Sequence, residues 1–347
     1  MSSPNVAGLA ALVKQYLMND ERFTDLPEEH MREMINTLLM STAIPASYED
    51  EFFGELPYSP RQQGAGMANV NNAVRTNAYL SVPGMTRPKL ELGDDPEETG
   101  VYELVFNVHN FGSETLSYNI ETTVMTEFTD YDDNAIPYMA GTPNPLYPEV
   151  ETNWDGDMVV VPAGETKQVV VKLTLSEGDR ELFTYCYENG MYVDGFVFLK
   201  SLNEDGIDLS MPFLGFYGDW TKAPQLDHGF YWDTLLDENN NKATRYPHEA
   251  SVAMDEFYLY YLGDNMHHYV EYLQDRNAIS PNGDGNFDSL AQVYTSLLRN
   301  AKTFRYTIEG EDGTEYYSLE LGEVSKTYYH TNTGRTDPCL LYTSDAA

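Results

Sequence analysis

Four oxygen-bearing side chains recur at every second position in one short polar stretch. They are Asn282, Asp284, Asn286 and Asp288, and the glycines between them allow the backbone to curl so that the side chains converge. Calcium takes about six to eight oxygen ligands, so carbonyls or water would have to complete the shell. The stretch predicts a structural calcium site, and no other cofactor is expected. The alternative is a pair of tight turns, for which Asn-Gly and Asp-Gly are strong signals.

The histidines show no spacing typical of a metal or catalytic centre. His267 and His268 are adjacent, and adjacent side chains point in different directions, so the pair is a poor metal ligand set. We expect surface or packing roles for all seven, which are His30, His109, His228, His248, His267, His268 and His330.

The elements at the start of the chain read as helices. The run from Val6 to Val13 has no charged residue, and Pro4 suits a first helical turn, where its missing N–H costs nothing. A run that is apolar on all sides predicts a helix buried between other elements. A second helix is predicted to begin near Pro27. Its apolar residues recur at helical spacing, and they are Met31, Met34, Ile35, Leu38 and Leu39.

From about Tyr79 the apolar pattern changes to period two. Tyr102, Leu104, Phe106 and Val108 alternate with more polar residues, which is typical of a half-buried strand. Similar runs follow at turn-punctuated spacing as far as Phe216. About seven short strands within some 130 residues predict an antiparallel sandwich.

Several motifs resemble one family. Met1-Ser2-Ser3-Pro4-Asn5-Val6-Ala7-Gly8 resembles the second half of the nucleophile motif of subtilisin-type serine proteases, in which the catalytic serine immediately precedes the methionine. LMSTA at 39–43 and SPRQQGAG at 59–66 resemble the end of the catalytic domain in the cell-envelope branch, which includes lactocepin-like caseinases and the streptococcal complement peptidase. Asn5 departs from the His of many relatives, but that position is not part of the triad.

Later motifs resemble the accessory domains of the same branch. MPFLGFYGDW at 211–220 resembles the last strand of a fibronectin type III-like domain, and ISPNGDG at 279–285 with LLRNAK at 297–302 resembles the opening of a second such domain. The resemblance implies a mixed fold, in which a remnant of an α/β subtilisin-like catalytic domain precedes all-β fibronectin type III-like sandwiches. The expected boundaries are 1–78 for the remnant, 79–222 for the first sandwich, which should fold alone, and 223–338 for a linker and a truncated second sandwich. Residues 339–347 resemble a translated sequencing adapter and are expected to be an artefact.

The resemblance implies a segment of an extracellular serine endopeptidase that hydrolyses protein or large-peptide substrates through an acyl-enzyme. The residues that match the nucleophile motif are Met1, Ser2, Ser3, Pro4, Val6, Ala7 and Gly8, and none of them is catalytic. In this family the triad order is Asp, His, Ser, so all three members would precede Met1, and the chain itself is expected to be inactive. The alternative is a non-catalytic surface adhesion or scaffold protein with a degenerate protease-like domain.

Composition excludes some partners. The formal net charge is −36, from 20 Lys+Arg against 56 Asp+Glu, and such a surface repels phosphate backbones, so nucleic-acid binding is not expected. No apolar run of about 18 residues is present, so no transmembrane segment is predicted. With Cys339 inside the suspected artefact, Cys186 has no disulfide partner, which is compatible with a secreted Gram-positive protein. Any cell-wall anchor is expected outside this sequence.

Overall fold

The computed structural model describes residues 2–23, 26–131, 137–187, 189–222, 225, 248–253, 259–261, 282–284, 290–295, 297, 299–325, 328–330 and 335–337. The chain forms two compact units, Met1–Lys222 (unit 1) and Ala223–Ala347 (unit 2). Several residues singled out above lie outside the described residues, namely Met1, His228, His267, His268, Asn286, Asp288 and 339–347.

Unit 1 begins with a group of helices and one hairpin, here called the N-terminal layer. Its elements are α1 Ser2–Asn19, a 3-10 turn Glu21–Phe23, α2 Glu28–Ser41, β1 Ser47–Asp50, β2 Gly54–Pro57, α3 Pro60–Gln63 and α4 Val70–Arg75. The predicted second helix is confirmed as α2, and its buried residues Ile35, Leu38 and Leu39 share a small apolar core with Val13 and Leu17 of α1.

Helix α1 is buried on one side only within the described part of the chain. Val13 and Leu17 are fully buried, but Val6 is 47% exposed and Leu12 is 53% exposed. The reason is that α2 and α4 both contact α1 through its buried side. The apolar residues on the other side of α1 therefore remain open to solvent in the described part of the chain.

The rest of unit 1 is a sandwich of two sheets. The first sheet has the order β3 Ala78–Ser81, β5 Val101–Asn110, β10 Thr166–Thr174, β8 Glu149–Thr152. The second sheet has the order β4 Leu90–Asp95, β12 Leu209–Tyr217, β11 Met191–Ser201, β6 Leu116–Tyr131, β7 Pro137–Leu146, and β9 Met158–Val161 also pairs with β6. One helix, α5 Glu177–Cys186, connects β10 to β11. The predicted sandwich is confirmed, except that β4 pairs with β12 in parallel rather than antiparallel orientation.

The sandwich core follows the period-two pattern read from the sequence. Alternate residues of β5 are buried, namely Tyr102, Leu104, Phe106 and Val108, and they share one core with Val169, Val171 and Leu173 of β10 and Val193, Val197 and Leu199 of β11. Because side chains alternate between the two faces of a strand, these residues line the inner faces of both sheets.

The second sheet is also buried on its outer face. Asp194 and Phe196 alternate with the inward residues of β11, and both are fully buried. Helices α2 and α3 of the N-terminal layer lie against β12 and β11. The layer therefore acts as a third layer over the second sheet.

Two hydrogen bonds tie the N-terminal layer to both sheets. The Leu80 backbone N–H in β3 donates to Ser41 Oγ over 3.0 Å, and Ser210 Oγ in β12 donates to the Ala43 carbonyl over 3.2 Å. Ser41 and Ser210 are buried, so each bond also satisfies a hydroxyl that water cannot reach.

Unit 2 contains short strands that pair locally. They are β13 His248–Ala253, β14 Leu259–Tyr261, β15 Leu290–Thr295, β16 Phe304–Glu309, β17 Glu315–Leu321, β18 Tyr328–His330 and β19 Arg335–Asp337. β13 pairs with β14 and β15, β16 pairs with β17, and β18 pairs with β19, all antiparallel. Within the described part of the chain, no helix has the length and apolar character needed to cross a membrane.

Candidate functional site

The residues that match the nucleophile motif lie at the start of α1. Pro4 occupies the first turn, as predicted, and Pro4, Val6, Ala7 and Gly8 are all exposed. In this arrangement the motif residues lie at a solvent-exposed helix N-terminus.

The imidazole of His109 has the geometry of a packed residue. Its Nε2 lies 2.7 Å from Ser81 Oγ and its Nδ1 lies 2.8 Å from Thr166 Oγ1, while the ring stacks on Tyr79 with 4.5 Å between centroids. Burial lowers the pKa of His109, which favours the neutral imidazole. A Ser–His pair needs a carboxylate on the second ring nitrogen to act as a catalytic triad, and here that nitrogen faces a threonine hydroxyl.

The predicted calcium stretch is described only at its start. Asn282 Nδ2 donates to Asp284 Oδ2 over 2.9 Å, and the Asp284 backbone N–H donates to Asn282 Oδ1 over 3.0 Å. These contacts form a tight turn around Gly283, whose φ is 76°. Among the described residues no group of three or more His, Cys, Asp or Glu side chains is placed to hold a metal ion. The calcium site therefore stays a prediction.

A buried charge cluster joins the N-terminal layer to the sandwich. It lies where the SPRQQG stretch forms α3: Ser59 Oγ accepts from the Arg61 backbone N–H over 3.1 Å, Pro60 occupies the first turn, and Gly64 ends the helix with a φ of 66°. This short, capped helix points the Arg61 side chain at the outer face of the second sheet.

The Arg61 guanidinium bridges two carboxylates on neighbouring strands. Arg61 Nε donates to Asp194 Oδ2 over 2.6 Å, and Nη1 donates to Glu127 Oε2 over 3.0 Å. Ser59 Oγ also donates to Asp194 Oδ2, over 2.5 Å. The guanidinium carbon lies 4.3 Å from the centre of the Tyr192 ring, a cation–π contact. We call Ser59, Arg61, Glu127, Tyr192 and Asp194 the arginine cluster.

The arginine cluster contains one cation and two anions, and it is largely shielded from solvent. The Asp194 side chain is 0% exposed, Glu127 is 15% exposed and Arg61 is 20% exposed. Burial raises the pKa of Asp194, although Arg61 and Ser59 favour its ionised form. Burial disfavours the charged guanidinium of Arg61, but Asp194 and Glu127 outweigh it and raise its pKa. The guanidinium therefore links α3 to two strands of the second sheet, although Arg61 Nη2 and Asp194 Oδ1 have no hydrogen-bond partner among the described residues.

A second arginine fixes the other end of the N-terminal layer. Arg22 Nη1 donates to Asn77 Oδ1 over 2.9 Å, and its guanidinium carbon lies 4.9 Å from the centre of the Phe111 ring. Arg22 also bonds to Asp20, and these hydrogen bonds lower the pKa of that carboxyl group. Both arginines therefore link the layer to the sandwich.

Sequence reasoning did not find the arginine cluster, although one signal was present. Asp194 is the single charged residue in the otherwise uncharged run Met191–Leu199. Because a charged side chain is almost never fully buried without a partner, such an isolated aspartate predicts a cation supplied by another element.

Comparisons with known proteins match both the sandwich and the whole chain. The Fn3-like domain family matches residues 90–214. A C5a peptidase of Streptococcus pyogenes serotype M6 is 26% identical over 97% of this chain and 31% of its own length. A PI-type proteinase of Lactococcus lactis subsp. cremoris is 26% identical over 96% of this chain and 17% of its own length. The chain therefore spans about a third or less of these relatives.

Similarity to solved structures is low. The PapD-like domain of human CEP192 aligns with 41% of this chain and 84% of that chain at a TM-score of 0.26 and 10% identity, a level that says nothing about function. The sequence matches confirm the relationship that the motifs predicted. This chain carries an Fn3-like domain and is a homologue of the proteases named C5a peptidase and PI-type proteinase.

Proposed function

We propose that the chain is a segment of an extracellular subtilisin-like serine endopeptidase of the cell-envelope type. The observation that supports this most is that the matched region includes the N-terminal layer as well as the Fn3-like domain, since the relatives align over 97% and 96% of the chain. A match to the sandwich alone would fit many unrelated surface proteins, because one fold serves many functions.

In this proposal the N-terminal layer is the end of an α/β peptidase domain. The catalytic serine immediately precedes Met1, and α1 begins at the position where its free N–H groups and dipole stabilise the oxyanion of acyl transfer. The exposed apolar side of α1, which includes Val6 and Leu12, is the side that such a domain would cover.

The Fn3-like sandwich braces that domain. The arginine cluster and Arg22 hold the layer on the sandwich at two separate points, so α1 keeps a fixed position relative to both sheets. Substrates in this proposal are proteins or large peptides, because the named relatives are a peptidase and a proteinase. Calcium at Asn282 and Asp284 would be structural and would take no part in the hydrolysis.

Labelling with a fluorophosphonate probe tests the proposal. The chain as given should not react, because the proposed nucleophile, base and orienting acid all lie upstream of Met1. The longer protein expressed from the same coding region should be labelled at one serine, immediately before Met1. Stoichiometric labelling of the given chain at Ser2 or Ser3 would refute the assignment. An intact longer protein that never reacts would favour the adhesion or scaffold alternative.

A further inference from the structure

The hairpin of the N-terminal layer presents two phenylalanines to solvent. Phe52 and Phe53 occupy the turn between β1 and β2, where Phe52 is 88% exposed and Phe53 is 46% exposed. Their rings meet edge to face with 6.5 Å between centroids. Large aromatic side chains are normally buried, and clusters that remain exposed often mark a site of interaction.

The turn that holds these rings is fixed by its own hydrogen bonds. Asp50 Oδ1 accepts from the backbone N–H groups of Phe52 over 2.8 Å and Phe53 over 3.0 Å. Gly54 follows with a φ of 77°, a conformation that glycine adopts without strain.

The base of the hairpin is fixed as well. The Gln63 amide bonds to the backbone of Ala46 and Tyr58, and Tyr48 Oη donates to the Pro143 carbonyl of the sandwich over 3.2 Å. The two rings are therefore presented on a pre-organised support, and little ordering entropy remains to be lost when a partner binds.

The hairpin that carries the rings is acidic in sequence. The hairpin contains Glu49, Asp50, Glu51 and Glu55, and no lysine or arginine occurs between residues 32 and 61. A second copy of this chain, at a net charge of −36, would be repelled, and so would an anionic membrane. A positively charged partner would be attracted both by the carboxylates and by the faces of the rings.

We propose that the Phe52–Phe53 turn is a docking point for a cationic segment of another polypeptide. An apolar side chain of the partner packs on the two rings, and its lysine or arginine side chains face Glu49, Glu51 and Glu55. The aromatic pair provides the anchor and the carboxylates provide attraction and orientation, a division of roles common in protein interfaces. This goes beyond the proposed function, because it concerns binding by the chain itself and holds for an inactive chain.

Fluorescence anisotropy with a fluorescein-labelled peptide of alternating lysine and leucine tests the proposal at an ionic strength of about 0.15 M. The variant Phe52→Ala/Phe53→Ala should bind about tenfold more weakly, a factor that corresponds to ~1.4 kcal/mol. The matched control is Tyr185→Ala, which removes an aromatic ring that is 84% exposed on α5 and should leave binding unchanged. A peptide of alternating glutamate and leucine should not bind.

Charge variants separate local recognition from general attraction to an acidic protein. Glu49→Gln/Glu51→Gln should weaken binding and flatten its salt dependence, whereas Glu177→Gln/Glu181→Gln on α5 removes the same charge and should have little effect. Equal losses in the two charge variants, or a phenylalanine variant that binds like the wild type, would overturn the proposal. Self-association of the wild type that Phe52→Ala/Phe53→Ala abolishes would assign the turn to a second copy instead and would also overturn it.

Discussion

Removal of Arg61 should destabilise unit 1 far more than removal of its carboxylate partner. In Arg61→Gln, Asp194 and Glu127 lose their shared cation, although the Asp194 side chain is fully buried. Breaking a buried ion pair by removing one partner typically costs about 3–5 kcal/mol, because the remaining charge has neither water nor a counter-ion. We expect Arg61→Gln to lower the free energy of unfolding by an amount in that range.

Asp194→Asn should cost much less. It leaves Arg61 paired with Glu127, so the arginine cluster becomes neutral overall, and the loss is that of hydrogen bonds to a charged group, about 1.5–3 kcal/mol at most. In the double variant Arg61→Gln/Asp194→Asn the asparagine removes the uncompensated charge. The double variant should therefore be more stable than the sum of the single effects predicts, by about 1–3 kcal/mol.

The pH dependence of the stability of unit 1 should follow from the raised pKa of Asp194. A carboxyl group with a raised folded-state pKa binds its proton more tightly in the folded protein, so its contribution to stability falls as pH rises from the unfolded value through the folded value. Arg61→Gln should consequently regain stability on acidification, when Asp194 takes up a proton. Asp194→Asn should lack this dependence.

Urea unfolding of the full chain measures these changes in the free energy of unfolding. The unfolding is monitored by pulsed hydrogen exchange and mass spectrometry, through peptides around residue 194. Arg87→Gln is the matched control, because Arg87 is exposed, and its stability should be that of the wild type. If Arg61→Gln is no more destabilising than Arg87→Gln, the arginine cluster does not stabilise unit 1. Additive effects of Arg61→Gln and Asp194→Asn on the free energy of unfolding would show that the two side chains are not coupled.

Three further predictions follow from the same structure. In contrast to the expectation from the sequence that 79–222 folds alone, limited proteolysis should leave a fragment that keeps residues 1–78 together with 79–222, because Met1–Lys222 is one unit. Residues 79–222 expressed alone should aggregate, because the outer face around Asp194 becomes exposed; a stable, monomeric 79–222 would contradict this. The melting temperature of the full chain should be higher in millimolar calcium than in chelator, and Asp284→Ala should abolish this difference. Equal melting temperatures of the wild type in the two conditions would leave a tight turn as the only role of this stretch. Burial lowers the pKa of His109, so the contribution of this residue to stability should be lost as pH falls below the ordinary pKa of histidine. A pKa of His109 measured by NMR titration at or above the ordinary pKa of histidine would refute this.

Features set by local pattern could be predicted from the sequence. The alternation of Tyr102, Leu104, Phe106 and Val108 predicts a strand with one buried face, and β5 has that face. The helical spacing that predicts α2 is likewise a property of neighbouring residues. Such patterns depend on the geometry of a single element, so no knowledge of the partner element is needed.

Features that depend on distant partners could not be predicted. Arg61 and Asp194 are 133 residues apart along the chain, and no local pattern pairs them. The cover of Val6 and Leu12 on α1 also depends on distant elements: an apolar run indicates that a helix needs cover, but the identity of the covering element depends on the rest of the fold.

The coding sequence immediately upstream of Met1 is the decisive measurement for the proposal that this chain is part of a serine endopeptidase. It should encode Gly-Thr-Ser directly before Met1, with the aspartate and histidine motifs of the triad a few hundred residues earlier. A residue other than serine before Met1, or the absence of either motif, would contradict it.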